Sequence, residues 1–190
     1  MEIKGKSNAA ACKEVLISEL EEIIKLTDLN VDDLTEISEL EFKVCYAIKL
    51  FNAVRLIVIE NHLKIESWLD ACISKYFFPP STMGIHNSNQ KYSTFIDNIL
   101  MKMNFSQKVS FIEKISDIPK KNINQIRKIN DLRNYLAHSF STEHEDRYKR
   151  LRYEGKLIGQ IDTLKKFLID SEKIWRLLKN LRDELKKSKL

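Results

Sequence analysis

The chain has 190 residues, a length typical of one domain, and 43% of them are hydrophobic against 31% charged. That balance excludes an intrinsically disordered chain, because it supplies enough apolar surface for a core. The net charge of +5 is uneven, since residues 1–118 hold 13 Lys and Arg against 17 Asp and Glu, whereas residues 119–190 hold 19 against 10.

The first half of the chain is predicted to be helical. Apolar residues recur at helical spacing from Asn8 to Leu26, and residues 30–33 form a cap-rich break. Neither Gly nor Pro occurs between Leu34 and Phe78, so this region is one very long helix or two with an unlocated break. Residues 78–90 are predicted to form a loop. Four large aromatic residues are assigned to the core: Trp68, Phe77, Phe78 and Trp175.

Helices are also predicted over Tyr92–Met101, from a cap at Asn104 or Ser106 to about Ile115, and from Pro119 to His138 or Ser139. Residues 140–148 are predicted to be irregular and residues 151–158 to form a hairpin. The last helix has an apolar stripe: Ile161, Leu164, Leu168, Trp175, Leu178 and Leu185. The predicted fold is all-α, a helical bundle with one minor β-hairpin near residues 150–158, in a single domain over residues 1–190.

Three features indicate a cytoplasmic protein without a membrane segment. The three cysteines (Cys12, Cys45 and Cys72) are widely spaced, which is typical of small core residues in a reducing compartment. The N-terminus lacks the apolar stretch of a signal peptide. The most apolar region, Ala47–Ile59, is too short and too charged to span a bilayer.

The helix that begins near Pro119 carries the residues of greatest chemical interest. Its apolar stripe is Ile126, Ile129, Leu132 and Leu136. At about 100° per residue, Arg133 falls at the edge of this stripe, beside Ile126. Asn134 and His138 are neighbours at i and i+4, on the polar side. The expected result is a shallow patch with a guanidinium, an amide and an imidazole.

These three groups suit the cleavage of RNA, which carries its own nucleophile in the 2′-hydroxyl. An imidazole with a pKa near neutrality can act as the general acid or base, a role for His138. A guanidinium can stabilise the charge that develops on the phosphoryl group, a role for Arg133. Asn134 would orient the imidazole or hold a phosphate oxygen. This chemistry needs neither a metal nor another cofactor.

The segment from Arg133 to His138 (RNYLAH) resembles the active-site motif of the HEPN family (higher eukaryotes and prokaryotes nucleotide-binding). In that motif an Arg is followed by a polar residue and, after four to six residues in all, by a His. Asn61–Asp70 looks like the early helix of that family, and Phe105–Ile115 looks like the helix that precedes the motif. The resemblance implies a helical bundle, a homodimer with one composite cleft, and metal-independent endoribonuclease activity.

Members of that family often act as toxins or in defence against phage, so the resemblance also implies an antitoxin or regulatory partner. In toxins paired with nucleotidyltransferase antitoxins, a Tyr that can be modified often lies two residues after the His. Phe140 occupies that position here, which argues against inactivation by that route.

Several alternatives remain open from the sequence alone. The chain could be a catalytically silent HEPN-like module that binds a protein or nucleotide partner. His62 and Glu66 are interpreted as a structural pair. A weaker RNA-binding prediction concerns a basic stretch near Tyr153 with the following members: Tyr148, Lys149, Arg150 and Arg152. For that stretch, tyrosines packed on the hairpin and solvated cations are an equally good interpretation.

Overall fold

The computed structural model describes residues 17–25, 38–78, 86–138 and 151–185. The elements in chain order are α1 (residues 17–24), α2 (Glu39–Phe77), α3 (His86–Asn98), a 3-10 turn (Leu100–Lys102), α4 (Phe105–Ile115), α5 (Lys120–His138), β1 (Arg152–Tyr153), β2 (Lys156–Leu157) and α6 (Ile161–Glu184). The predicted fold class, all-α with one minor hairpin, is confirmed. None of the helices within these ranges is long and apolar enough to cross a membrane.

The region without Gly or Pro, for which the sequence allows either one helix or two, contains a single helix in its described part. This helix, α2, has 39 residues. It begins at a capping box, in which the Glu41 backbone N–H donates to the Ser38 hydroxyl at 3.4 Å and the Ser38 backbone N–H donates to the Glu41 carboxylate at 3.2 Å. The Ser38 hydroxyl also donates to that carboxylate, at 2.6 Å. These hydrogen bonds hold the pKa of Glu41 below its usual value. With no Gly or Pro to interrupt the backbone ladder, the helix continues to Phe77.

The boundaries predicted for α3 are wrong at both ends. Residues 86–90, assigned to a loop, are the first residues of the helix, and the helix ends at Asn98 rather than Met101. A 3-10 turn follows, with Leu100 buried. Asn and Ser near the start of α3 are poor helix formers as isolated residues, but such propensities are too weak to decide where a helix begins.

The starts of α4 and α5 agree with the prediction. Of the two candidate caps, Asn104 is the one used, in a reciprocal capping box with Gln107. At the start of α5, the Pro119 carbonyl accepts from the Asn122 backbone N–H at 2.8 Å, so the proline lies where its missing N–H costs little.

The predicted hairpin is confirmed, with Arg152 opposite Leu157 and Tyr153 opposite Lys156. Its two turn residues, Glu154 and Gly155, both have positive φ (50° and 81°), as a two-residue hairpin turn requires. Gly adopts such a φ without strain, which explains its place there.

The apolar stripe predicted for α6 is only partly right. Leu164 and Leu178 are buried, but Leu168 and Trp175 are half-buried. The buried positions alternate at spacings of three and four residues: Leu164, Phe167, Ser171, Ile174 and Leu178. The sequence pattern did not indicate this row, because Ser171, a small polar residue in its middle, interrupts the apolar periodicity.

The contacts divide the chain into two compact units. Unit 1 comprises residues 1–59 and 135–167, and unit 2 comprises residues 60–134 and 168–190. The chain passes between the units inside α2, α5 and α6.

Unit 1 has its own core, in which the hairpin packs on α6 through Tyr153 and Phe167, with ring centroids 5.3 Å apart. Other deeply buried residues of this unit are Leu20, Ile23, Ala53, Val54, Ile57, Val58, Leu136, Ile158 and Leu164. An exposed ion pair between Lys165 and Glu22, at 3.2 Å, joins α6 to α1.

Unit 2 also has its own core, contributed by α2, α4, α5 and α6. Its fully buried residues are Ile65, Leu69, Cys72, Ile73, Val109, Ile112, Ile123, Ile126, Ile129 and Leu178. The Cys72 thiol donates to the Leu178 carbonyl at 3.2 Å, and burial raises its pKa to about 12. This thiol is therefore protonated and unreactive.

Candidate functional site

The buried face of α5 determines where Arg133 lies. The four residues of the predicted stripe are buried, as expected: Ile126, Ile129, Leu132 and Leu136. Ile123 is buried as well, so the buried face is wider than predicted. Arg133 consequently lies within this face rather than at its edge, and its side chain is half-buried.

The Arg133 guanidinium is held by the adjacent residue of the motif. Its Nη1 donates to the Asn134 side-chain oxygen at 3.0 Å, and Asn134 is also half-buried. Among the residues that the structure describes, no carboxylate pairs with Arg133. A guanidinium that is bonded to a neutral amide keeps its full charge, so this cation remains available to an anionic ligand.

His138 is the last residue of α5, and its side chain lies outside the described residues. Its helix position is nevertheless defined. At about 100° per residue, positions 133 and 138 lie about 140° apart around the axis, whereas 134 and 138 lie about 40° apart. Arg133 and His138 are therefore on different sides of the same helix.

A buried ion-pair cluster lies in the same unit and was not predicted. Lys108 is 4% exposed, and its ammonium lies 2.9 Å from a Glu66 oxygen and 2.8 Å from the nearer oxygen of Asp70. We call these three residues the Lys108 cluster. Burial alone would lower the pKa of Lys108, but the hydrogen bonds and charges of the two carboxylates outweigh it and raise that pKa. Burial raises the pKa of Asp70.

His62 connects this cluster to α5. The imidazole is 2% exposed, stacks on the Phe105 ring with centroids 4.2 Å apart, and has its Nε2 3.1 Å from the Asn130 side-chain oxygen. Its Nδ1 lies 4.0 Å from Glu66, too far for a hydrogen bond. His62 and Glu66 are therefore not hydrogen-bonded to each other, and Glu66 pairs with Lys108 instead.

Burial is the largest influence on His62 and lowers its pKa. The hydrogen bond to Asn130 and the charge of Glu66 oppose that shift. The positive charges of Arg133 and Lys108 add to it. The imidazole is therefore neutral near pH 7.

One signal in the sequence indicates the Lys108 cluster. On α4, Lys108 lies in the middle of a buried row with Phe105, Val109 and Ile112. A lysine inside an apolar stripe needs carboxylate partners, because an unpaired buried charge is very costly. Asn130 offers no comparable signal, because its contact with His62 joins residues 68 positions apart.

The weaker RNA-binding prediction falls mostly outside the described residues, which do not include Tyr148, Lys149 or Arg150. Arg152 is described and exposed, and its guanidinium donates to the Gly155 carbonyl across the hairpin turn at 2.8 Å. The neighbouring Tyr153 is buried against α6, so its ring is not available to stack on a base.

We compared the chain with models of protein families, with curated proteins and with solved structures, and none of the three comparisons found a match.

Proposed function

We propose that this protein is a metal-independent endoribonuclease of HEPN type, with Arg133, Asn134 and His138 as its catalytic residues. The observation that carries the proposal is the state of Arg133. Its guanidinium is half-buried, held in place by Asn134, and without a carboxylate partner among the described residues. A preorganised cation of this kind suits a phosphate, to which arginine can donate two aligned hydrogen bonds.

Two carboxylates of the same unit are already occupied, which supports the same conclusion. Glu66 and Asp70 both contact Lys108 at 2.8–2.9 Å. Because their charges are compensated there, they compete little with a phosphate for Arg133. The mechanism then assigns charge stabilisation in the transition state to Arg133 and proton transfer to His138. The 2′-hydroxyl of the RNA gives its proton to the His138 imidazole as its oxygen bonds to the adjacent phosphorus. The bond between phosphorus and the 5′-oxygen breaks as the imidazolium returns a proton to that oxygen, which leaves a 2′,3′-cyclic phosphate.

The positions of these residues favour a site built from two copies of the chain. Positions 133 and 138 lie about 140° apart on a regular helix, so one copy does not easily present both to a single phosphate. A two-fold pair of α5 helices would bring Arg133 of one copy toward His138 of the other. This arrangement is self-complementary, as a symmetric dimer requires. An antitoxin or regulatory partner and a role as a toxin or phage-defence effector belong to the same proposal.

The direct test is incubation of total RNA with purified protein in the presence of EDTA. We expect the wild type to cleave, and the variants His138→Ala and Arg133→Ala to lose about 10²–10⁴-fold in rate. Arg127→Ala is the matched control, because Arg127 is an exposed arginine on the same helix that pairs with Glu113 at 2.6 Å. Cleavage by His138→Ala at the wild-type rate would refute the assignment.

Mixing the two inactive variants tests the composite site separately. If Arg133 of one copy works with His138 of the other, a mixed dimer of Arg133→Ala and His138→Ala retains one intact pair. We therefore expect the mixture to recover part of the activity. If mixing recovers none although mixed dimers form, both residues act within one copy.

The alternative function, a silent HEPN-like module that binds a partner, rests on a different observation. Val44 and Ile48 lie one turn apart on α2 and are 56% and 53% exposed. An exposed apolar pair of this kind is typical of a surface that contacts another protein. Absence of cleavage under all conditions, together with weaker binding of a partner by Val44→Ser, would favour this alternative.

A further inference from the structure

Both tryptophans of the chain lie at the surface of unit 2, contrary to their predicted place in the core. Trp68 on α2 and Trp175 on α6 are half-buried. Phe77, also assigned to the core, is 48% exposed. The chain has only two tryptophans, and each keeps part of its ring in contact with solvent. Tryptophan is a costly residue to leave exposed, so the surroundings of these two rings are informative.

The two indoles are covered by cations in a reciprocal arrangement. The Lys64 ammonium of α2 lies 4.3 Å from the ring centroid of Trp175, and the Arg182 guanidinium of α6 lies 4.9 Å from that of Trp68. Each helix thus supplies one indole and the cation that covers the indole of the other helix. Arg176 adds a second cation 5.1 Å from Trp175. All these distances are in the range of cation–π contacts.

The positive charge of this surface is only partly compensated. Arg176 pairs with Glu172 at 2.6 Å, and Arg182 pairs with Asp183 at 2.7 Å. Lys64 and Lys179 are exposed, and neither has a carboxylate partner within the ranges that the structure describes. Lys179 follows Trp175 by one helical turn, so it shares the same side of α6.

We propose that this surface is a binding platform for single-stranded RNA. We call it the tryptophan seam, and its members are Lys64, Trp68, Trp175, Arg176, Lys179 and Arg182. Single strands bind where aromatic side chains stack on bases and neighbouring cations contact the backbone. In the tryptophan seam a base would take the place of the cation that covers an indole, and the displaced cation would contact the phosphate beside that base. The choice of RNA as the ligand rests on the proposed function. The presence of indoles and cations on this surface is observed independently of that function.

The dimensions of the tryptophan seam suit a short stretch of strand. Lys64 and Trp68 are four residues apart, or roughly 6 Å along α2, and Trp175 and Arg182 are seven apart, or roughly 10 Å along α6. Because Lys64 lies over Trp175 and Arg182 lies over Trp68, the two indoles are offset by roughly 6–10 Å along the helices. Each ring can then take one base, with the lysines near the phosphates between them. A duplex fits less well, because its base faces are already stacked on one another.

The two tryptophans also report directly on this site, since the chain contains no others. The test is a titration of the full-length protein with a 2′-O-methyl oligouridine, followed by tryptophan fluorescence. This probe lacks the free 2′-hydroxyl, so the proposed cleavage cannot proceed during the measurement. We expect saturable quenching, which persists in both single-tryptophan variants, Trp68→Phe and Trp175→Phe.

Substitution of the uncompensated lysines tests the electrostatic part. The double variant Lys64→Gln/Lys179→Gln should bind more weakly and reduce the slope of log affinity against log salt by about 1–2. Lys102→Gln is the matched control, because it removes one exposed charge of unit 2 from the 3-10 turn. Circular dichroism on each variant verifies that the helices are intact.

Three results would overturn the proposal: absence of binding, binding detected by anisotropy of a labelled strand without quenching, and equal quenching by an acidic polypeptide. The last result would assign the seam to an anionic protein. Failure of the nuclease proposal is distinguishable from these. If the probe quenches the fluorescence but the protein does not cleave RNA, RNA binding by the tryptophan seam stands and the nuclease proposal fails. If the protein cleaves RNA but the probe does not quench the fluorescence, the nuclease proposal stands and the binding proposal fails.

Discussion

Two cations of unit 2 lie in contrasting environments. Lys108 is 4% exposed and contacts two carboxylates, Glu66 and Asp70. Arg133 is half-buried and donates to the neutral side chain of Asn134. The imidazole of His62 is close enough to both for each to lower its pKa.

Lys108 is a structural charge, whereas Arg133 has a charge that can bind a ligand. A buried charge must be paired, and Lys108 is paired twice, so its contacts are complete within the protein. Arg133 keeps part of its exposure and has no carboxylate partner among the described residues, so its charge is not compensated by them. The two residues should therefore respond differently to removal of their charge.

The largest expected effect on stability comes from Lys108→Met. This change leaves Glu66 and Asp70 without their cation. Loss of one partner of a fully buried ion pair costs about 3–5 kcal/mol in the free energy of unfolding. We expect the lower end of that range or less, because the side chains of Glu66 and Asp70 are 27% and 30% exposed and water partly replaces the cation. Urea denaturation at pH 7 measures it. Acid should reduce the loss, because Asp70, with its raised pKa, then takes up a proton and no longer needs a partner.

Arg127→Met provides the control for that experiment, because its ion pair with Glu113 is exposed on both sides. An exposed pair contributes about 1 kcal/mol or less. Equal stabilities of Lys108→Met and Arg127→Met would show that the Lys108 cluster is not structural.

A smaller effect should appear in the pH dependence of stability, through His62. Its pKa in the folded protein is lowered from the usual value of 6.5, chiefly by burial. Above that usual value the imidazole is neutral in both the folded and the unfolded state, and its contribution to stability is complete. As the pH falls below it, the unfolded chain takes up the proton first, so stability decreases by at most about 1.4 kcal/mol per pH unit.

The difference in stability between wild type and His62→Gln, measured by urea denaturation from pH 7.5 to 5, isolates this contribution. Gln can still donate to the Asn130 side chain but does not titrate in this range. The wild type should lose more stability than the variant on acidification. Parallel curves for the two proteins would exclude His62 as the source.

The smallest effect is expected from Arg133→Met, which should change the free energy of unfolding by about 0.5 kcal/mol or less, because it breaks no ion pair among the described residues. Thermal and urea unfolding measure this, beside the cleavage assay on the same preparation. A loss of stability as large as that of Lys108→Met would remove the contrast between the two cations and identify Arg133 as structural.

Local signals predicted much of the fold. Asn104 acts as the cap of α4, and the Glu154-Gly155 pair forms the hairpin turn. The apolar stripe of α5 is buried as its spacing indicated. Each of these features depends on residues within a few positions of one another, which is why the sequence reveals them.

The errors share a different cause. Trp68 and Trp175 were assigned to the core by residue type, but cations from the facing helix cover them at the surface. The start of α3 was missed because its polar residues resemble a loop. The first outcome depends on contacts between residues far apart in the chain, which residue type alone does not reveal. In the second, single-residue preferences are too weak to decide where a helix begins.

The sequence by itself determined the helical class, the hairpin and the spacing of Arg133, Asn134 and His138 on one helix, because helical periodicity and turn chemistry are local. Only the tertiary structure decided which charges are compensated. Lys108 meets Glu66 and Asp70 across about 40 residues of chain, at separations of 42 and 38 positions. Arg133 meets no such carboxylate in the described residues. Charge compensation depends on distances of a few ångströms between separate helices, and those distances are set by packing.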